Sequence, residues 1–183
     1  KTNGTKKNKL RDIPKLDDAN WAGTRRSEQC TLILTEGDSA KSMAIAGLSV
    51  VGRDKYGVFP LKGKVLNVRD ASIKQVSSNA EITNIKKILG LESGKKYKNT
   101  KNLRYGKVMI MTDQDHDGSH IKGLCVNLFE NQWNSLIKLN IIGFMNTPIL
   151  KAKKGSQELN FYNENDYLHW KDTEMTGNWK IKY

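Results

Sequence analysis

The chain has 183 residues, of which 37% are hydrophobic and 27% charged, with a mean hydropathy of −0.63; that is one domain with an appendage, too short for two full domains. No run nears the roughly 18 apolar residues of a spanning helix, and the amino terminus Lys1-Thr-Asn-Gly-Thr-Lys-Lys7 lacks the apolar stretch of a secretory signal, so a soluble chain with no membrane partner is expected. With 31 Lys and Arg against 19 Asp and Glu, the net charge is +12, which attracts polyanions and puts nucleic acid first among the partners.

Residues 1–29 carry eight Lys and Arg against four acids with little periodicity, and read as a basic arm or linker. Cys30 and Cys125 both stand beside apolar residues and read as buried, reduced thiols of an intracellular protein. Thr31-Leu-Ile-Leu-Thr35 is a short run of β-formers that stops at Glu36-Gly-Asp-Ser39, and Ala40 to Ala46 then takes helical spacing. The pattern predicts a strand, a tight turn and a helix. A second strand is predicted at Tyr56–Pro60, leading into the basic loop Leu61-Lys-Gly-Lys64 and on through Val65-Leu-Asn-Val-Arg69.

Ile82, Ile85, Ile88 and Leu89 fall on one face of a helix over 79–89, and Gly90 stands where a C-cap glycine belongs. From residue 84 to 107 there are eight Lys and Arg and one acid, Glu92, an excess that suits either a phosphate backbone or a solvated face. Lys107-Val-Met-Ile-Met-Thr112 has the pattern of a fully buried strand, with Asp113 at its carboxyl end. Ile121, Leu124, Leu128, Leu136 and Ile137 predict one or two helices over 118–139. Phe144-Met, Pro148-Ile-Leu and Leu159-Asn-Phe-Tyr162 around Lys153-Lys-Gly155 predict a hairpin, followed by a short helix near 165–171.

Strands alternating with helices predict an α/β fold, a mostly parallel sheet flanked by helices, with a small C-terminal hairpin and helix extension. The division expected is an arm over 1–29, the α/β domain over 30–145 and the extension over 146–183. In such sheets the working residues lie just beyond the carboxyl ends of the strands, where both acidic clusters, Glu36-Gly-Asp38 and Asp113-Gln-Asp-His-Asp117, are predicted.

Asp113, Asp115 and Asp117 alternate, so an extended backbone projects all three carboxylates to one side. Like charges so close tolerate one another when a hard cation takes their oxygens, and with Glu36 brought alongside they compose an all-carboxylate site suited to Mg²⁺. An EF-hand opens with the same acids but needs a bidentate Glu at its twelfth position, where this chain has Leu124. Gly37-Asp-Ser39 with Asp166-Tyr-Leu-His169 echoes a serine esterase, yet that chemistry leaves the aspartates and the +12 charge unexplained. His116, His120 and Cys125 lack the second cysteine pair of a structural zinc site; His120 is expected near phosphate or capping its helix. Lys62-Gly63-Lys64 lets backbone approach a phosphodiester while two ammoniums neutralise it, although an ordinary β-turn explains those residues equally well.

Three blocks in order, Glu36-Gly-Asp-Ser-Ala40, Pro60-Leu-Lys-Gly-Lys-Val-Leu-Asn-Val-Arg69 and Ile110-Met-Thr-Asp-Gln-Asp-His-Asp-Gly-Ser-His-Ile121, closely resemble the TOPRIM domain of type IIA DNA topoisomerases. The resemblance runs from about Lys15 to Tyr183, and Lys15-Leu-Asp-Asp-Ala-Asn20 is more like the eukaryotic members than the gyrase B subunit. It implies a Rossmann-like TOPRIM fold in which Glu36, Asp113, Asp115 and Asp117 are catalytic and hold Mg²⁺ at the DNA cleavage site. It implies that Lys62, Gly63, Lys64, Asn67 and Arg69 lie against cleaved DNA, and that Gly37, Asp38 and Lys62 fall where cleavage poisons lodge. Lys62 stands where eukaryotic members often carry Arg, which would cost bidentate phosphate contacts. The resemblance also implies a nuclear, homodimeric parent enzyme using ATP, whose attacking tyrosine belongs to a winged-helix domain further along; Tyr183 is not that nucleophile. The acidic pattern alone would equally serve a TOPRIM nuclease or primase, and the charge alone a non-catalytic DNA-binding module.

Overall fold

Thr31–Glu36 forms β1, a strand buried along nearly its whole length, as a continuous β-branched and leucine run in a doubly covered parallel sheet should be. The structure is a computed structural model describing residues 10, 12–62, 65–112, 116–145, 150–162, 164–175 and 177–182, without the side chains of Ser39, His116 and Asp117. β1 is followed by α1 (Gly37–Val51), β2 (Tyr56–Leu61), α2 (Ile73–Ser78), α3 (Ala80–Leu89), β3 (Lys107–Met111), α4 (His116–Lys138) and β4 (Ile142–Met145). The four strands pair in parallel in the order β2-β1-β3-β4, so the expected α/β architecture is present.

The two faces of the sheet are covered by different elements. Leu32 and Leu34 of β1, Phe59 and Leu61 of β2, and Val108 and Ile110 of β3 share one core with Ile82, Ile85, Ile88 and Leu89 of α3 and Ile121, Leu124, Leu128 and Phe129 of α4. Ile33, Val58 and Met111 face the other way, against Ala44 and Leu48 of α1. The period-two alternation of β1 thus splits its side chains between the layers.

α3 is bounded as the sequence predicts. Asn79 Oδ1 accepts the Ile82 amide at 3.0 Å as N-cap, and Gly90 closes the helix at φ +74, the left-handed C-cap that glycine adopts without a Cβ penalty. α2 carries its own capping box between Ser72 and Gln75, a feature the periodicity of six residues is too short to reveal. α4 is two helical segments that meet at a kink at Trp133, whose backbone angles are non-helical and whose indole N–H donates to the Glu92 carbonyl at 3.0 Å. The kink agrees with the expectation of one or two helices over 118–139.

Two expectations change. Phe144-Met145 is not part of the C-terminal hairpin: it belongs to β4, whose Ile110↔Phe144 and Met111↔Met145 register makes it the fourth parallel strand. Four residues at a sheet edge, three half-buried and Phe144 exposed, give too short an apolar run to be told from a hairpin arm. From Asp12 onward the basic N-terminal stretch lies on the core: Ile13, Ala19 and Ala22 are buried in it, and Asp17 and Val58 exchange backbone hydrogen bonds at 2.9 and 2.8 Å. Beyond β4, the strands β5 (Leu150–Lys154), β6 (Gln157–Phe161) and β7 (Lys180–Lys182) form an antiparallel sheet ordered β6-β5-β7, with α5 (Glu164–Thr173) between β6 and β7 in the chain. Its separate core holds Phe161, Tyr167 and Trp170.

Candidate functional site

β1 ends at Glu36 and β3, its parallel neighbour, at Met111, with Thr35 opposite Met111. Glu36 therefore leaves the sheet beside Thr112, at the edge where the chain turns toward Asp113. The Thr112 hydroxyl donates to the Gly118 carbonyl at 3.4 Å, drawing the first turn of α4, which contains Asp117, back to the end of β3. Asp113 and Asp115 lie outside the described residues, as do Gly63 and Lys64, and the Asp117 side chain is likewise not described. Glu36 is half-buried with one carboxylate oxygen fully enclosed. Among the described residues no cluster of three or more His, Cys, Asp and Glu is gathered for a metal. The donors this edge brings together in sequence are all carboxylates, which fits a hard divalent cation.

Gly37 follows Glu36 at φ +72. This left-handed residue turns the strand into α1 within one step, a conformation that costs an L residue with a Cβ roughly 1–2 kcal/mol. The turn exposes Asp38, whose carboxylate accepts a hydrogen bond from Lys15 Nζ at 2.6 Å, and that bond holds its pKa below the ordinary value. Lys41 of α1 donates to the Lys15 carbonyl at 2.8 Å and pairs with Asp17 at 2.7 Å. The segment before β1 is thus fastened across the first turn of α1.

On the other side of Glu36, β2 ends at Leu61 and the basic loop begins. Lys62 is exposed, and its backbone amide and positive charge act on the Glu81 carboxylate in the first turn of α3. Burial raises the Glu81 pKa, opposed by the Lys62 amide and by the charges of Lys62 and Lys15. Val65 and Val68 are buried and pin the loop to the core, leaving Asn67 and Arg69 outside. Asn67 organises rather than reaches: its Nδ2 donates to Asp70 at 2.7 Å, and its Oδ1 accepts from the Arg69 amide at 3.2 Å and from Asn127 Nδ2 of α4 at 3.3 Å.

His120 sits in the second turn of α4, exposed. It is too far inside the helix to cap it, which corrects that half of its expectation. Cys125, five residues on, is buried, and burial pushes its thiol up to about 12. Asp166 and His169 are exposed on α5, which turns Tyr167 and Trp170 inward.

Sequence reading missed Lys15 and Glu81. Lys15 stood in a stretch without periodicity, and Glu81 looked like an acid in a helix's first turn, where the macrodipole favours one. Pairing Glu81 with a lysine nineteen positions upstream needs the fold.

The Toprim domain family model matches residues 31–143. The whole chain is 57% identical to DNA topoisomerase 2 top-2 of Caenorhabditis elegans and to DNA topoisomerase 2-beta of Homo sapiens, and 56% identical to DNA topoisomerase 2-alpha of Rattus norvegicus, and it spans 12% of the length of each. It is also similar to the crystal structure of the Plasmodium falciparum topoisomerase II DNA-binding, cleavage and re-ligation domain, at a TM-score of 0.90 and 57% identity over 96% of this chain and 24% of that one. The carboxyl ends of β1, β2 and β3 lie along one edge of this sheet, and the chain belongs to the Toprim domain family.

Proposed function

We propose that this chain is the Mg²⁺-binding module of a eukaryotic-type, ATP-dependent type IIA DNA topoisomerase, with residues 30–145 as its TOPRIM domain, flanked by the stretches 1–29 and 146–183. The observation that carries the reading is the pairing of β1 with β3, which sets Glu36 beside the entrance to the Asp113-Gln-Asp-His-Asp117 stretch. The 12% span on the curated relatives agrees with one module of a larger enzyme.

In this reading Glu36, Asp113, Asp115 and Asp117 hold the divalent ion, which supplies charge stabilisation at the scissile phosphate and the departing 3′-oxygen. The nucleophile is a tyrosine on a winged-helix domain that becomes joined to the 5′ end. This chain's own part is positioning. Lys62, Gly63, Lys64 and Arg69 neutralise and approach the DNA backbone, Asn67 fixes the loop that presents them, and His120 meets the backbone from α4, whose Asn127 is bonded to that loop. Glu81 stands by the Lys62 amide, and Gly37 fixes the turn that carries Asp38 and Glu36, the place where cleavage poisons would also sit. The parent enzyme is a nuclear homodimer acting on double-stranded DNA.

Calorimetric titration of the chain with Mg²⁺ should give binding that is lost in Glu36→Gln and in Asp113→Asn. In the parent enzyme Glu36→Ala or Asp113→Ala should abolish cleavage and relaxation while ATP hydrolysis continues. Relaxation surviving either substitution refutes the assignment.

A further inference from the structure

The edge of the sheet opposite Glu36, where the strands begin, is also strongly cationic. Lys55 precedes β2, Lys107 opens β3, and the loop between α3 and β3 carries Lys95, Lys96, Lys98 and Lys101, all exposed. Thr31 pairs with Tyr56 on one side and Lys107 on the other, so Lys55 and Lys107 stand roughly 10 Å apart, two strand spacings.

The loop that presents the lysines is fastened from inside. The Tyr97 amide donates to Ser135 Oγ of α4 at 2.9 Å, the Trp133 indole to the Glu92 carbonyl at 3.0 Å, and the Arg104 amide to the Leu89 carbonyl at 3.0 Å. Tyr97 and Leu103 are buried while the lysines between them point outward. A backbone fixed in this way presents its cations with less ordering left to be lost on binding. Lys98 and Lys107 also line an open groove of about 220 Å³ running to Asn140 and Ile141.

The charge is predominantly positive, with six lysines (Lys55, Lys95, Lys96, Lys98, Lys101 and Lys107) against three acids, Glu28, Asp54 and Glu92. Among the described residues Lys95 pairs with Glu92 and Lys87 with Asp12, whereas Lys98, Lys101 and Lys107 make no ion pair. Glu28 is the acid on the groove wall, and Asp54 nearby accepts a hydrogen bond from Asn20. A face serving solubility alone mixes its signs more evenly than this two-to-one excess of cations.

We propose that this amino-edge surface, centred on Lys98, Lys101 and Lys107, is a second docking surface for the phosphate backbone of duplex DNA, distinct from the acidic edge. Strands of five and six residues separate the two edges by about 17–20 Å, so they engage different segments of duplex. Lysines are point charges without the bidentate fork of arginine, and contact here is independent of base sequence and governed by counterion release.

The test uses the 183-residue chain and a fluorescein-labelled duplex of about 30 base pairs, with anisotropy followed over a salt series in EDTA so that the proposed metal site contributes nothing. Lys98→Ala/Lys101→Ala/Lys107→Ala should lower the magnitude of the log K against log salt slope by two to three, at about 0.9 per lost phosphate contact. Lys171→Ala/Lys180→Ala/Lys182→Ala removes the same net charge elsewhere and should change the slope by less than about one. In the unsubstituted chain, duplex DNA should protect Lys98, Lys101 and Lys107 from acetylation read by mass spectrometry. Equal loss in both triple variants, absence of protection, or a surface that takes polyglutamate but not duplex DNA would overturn the proposal. Loss of Mg²⁺ binding in Glu36→Gln bears only on the acidic edge and leaves this result standing.

Discussion

Removing the Asp18 carboxylate tests how the N-terminal stretch holds the sheet. Its two oxygens accept hydrogen bonds from the Arg104 guanidinium and the Tyr105 hydroxyl, and the side chains of Arg104 and Asp18 are 3% and 11% exposed. Arg104 also donates to the Ile88 carbonyl at 3.0 Å, while its Nε is buried with no hydrogen-bond partner among the described residues. In Asp18→Ala the guanidinium stays buried with its counter-charge gone, and breaking a buried pair in that way costs about 3–5 kcal/mol. For a chain of this length each kcal/mol is worth about 2–4 °C, so the melting temperature should fall by roughly 10 °C or somewhat more. Lys15→Ala is the contrast. Its ion pair with Asp38 is 55% and 66% exposed, and such pairs contribute about 0–1 kcal/mol. Urea denaturation at neutral pH followed by far-UV circular dichroism would measure both variants. A loss below about 1 kcal/mol in Asp18→Ala, no larger than a surface pair, would refute the view that this network fastens the start of β3.

Three further outcomes follow from the site and its surroundings. Gly37→Ala should destabilise the chain by about 1–2 kcal/mol because of its positive φ, although the space around its Cβ position is open; an unchanged urea midpoint would show that the turn relaxes. Glu81 has its folded pKa raised above 4.5, chiefly by burial. The penalty for its charged form is absent below the unfolded pKa and grows as pH rises through the folded one. Glu81→Gln should therefore gain melting temperature over the unsubstituted chain on going from about pH 4 to pH 8, and a difference that is flat with pH would contradict the sign. Burial first, then the Asp18 charge, pushes the Cys30 thiol up to about 11, and burial pushes Cys125 to about 12. A disulfide reagent at neutral pH should leave both unlabelled until urea unfolds the chain; rapid labelling of either in the native state would contradict their burial.

The parts of this fold legible in sequence are those where one physical constraint acts alone. β1 and β3 are sandwiched between helices, so unbroken apolar runs mark them; α3 has a four-residue apolar face and a glycine at its end. α1 begins three residues before its helical spacing, because Gly37 enters it by positive φ rather than by propensity. β4 and the segment from Asp12 to Gln29 are held by pairing and by scattered small contacts that leave no period in the chain.

The candidate site divides in the same way. Glu36 and Lys62 are visible because one ends and the other directly follows a buried strand and the sheet's parallel pairing puts strand ends together. Lys15 and Glu81 reach the same edge from a turn and from a helix start, so their importance rests on distance in space alone. Both act on groups that the motifs do name: Lys15 on the Asp38 carboxylate, Glu81 on the Lys62 amide. A motif records the groups that meet the substrate, whereas their aim is set by neighbours that any polar residue of suitable length could supply. Lys15 and Glu81 carry opposite charges and Glu81 is the more buried, so the two should separate experimentally: Lys15→Ala should alter Asp38 and leave Lys62 in place, and Glu81→Ala should free the Lys62 loop with Asp38 unchanged.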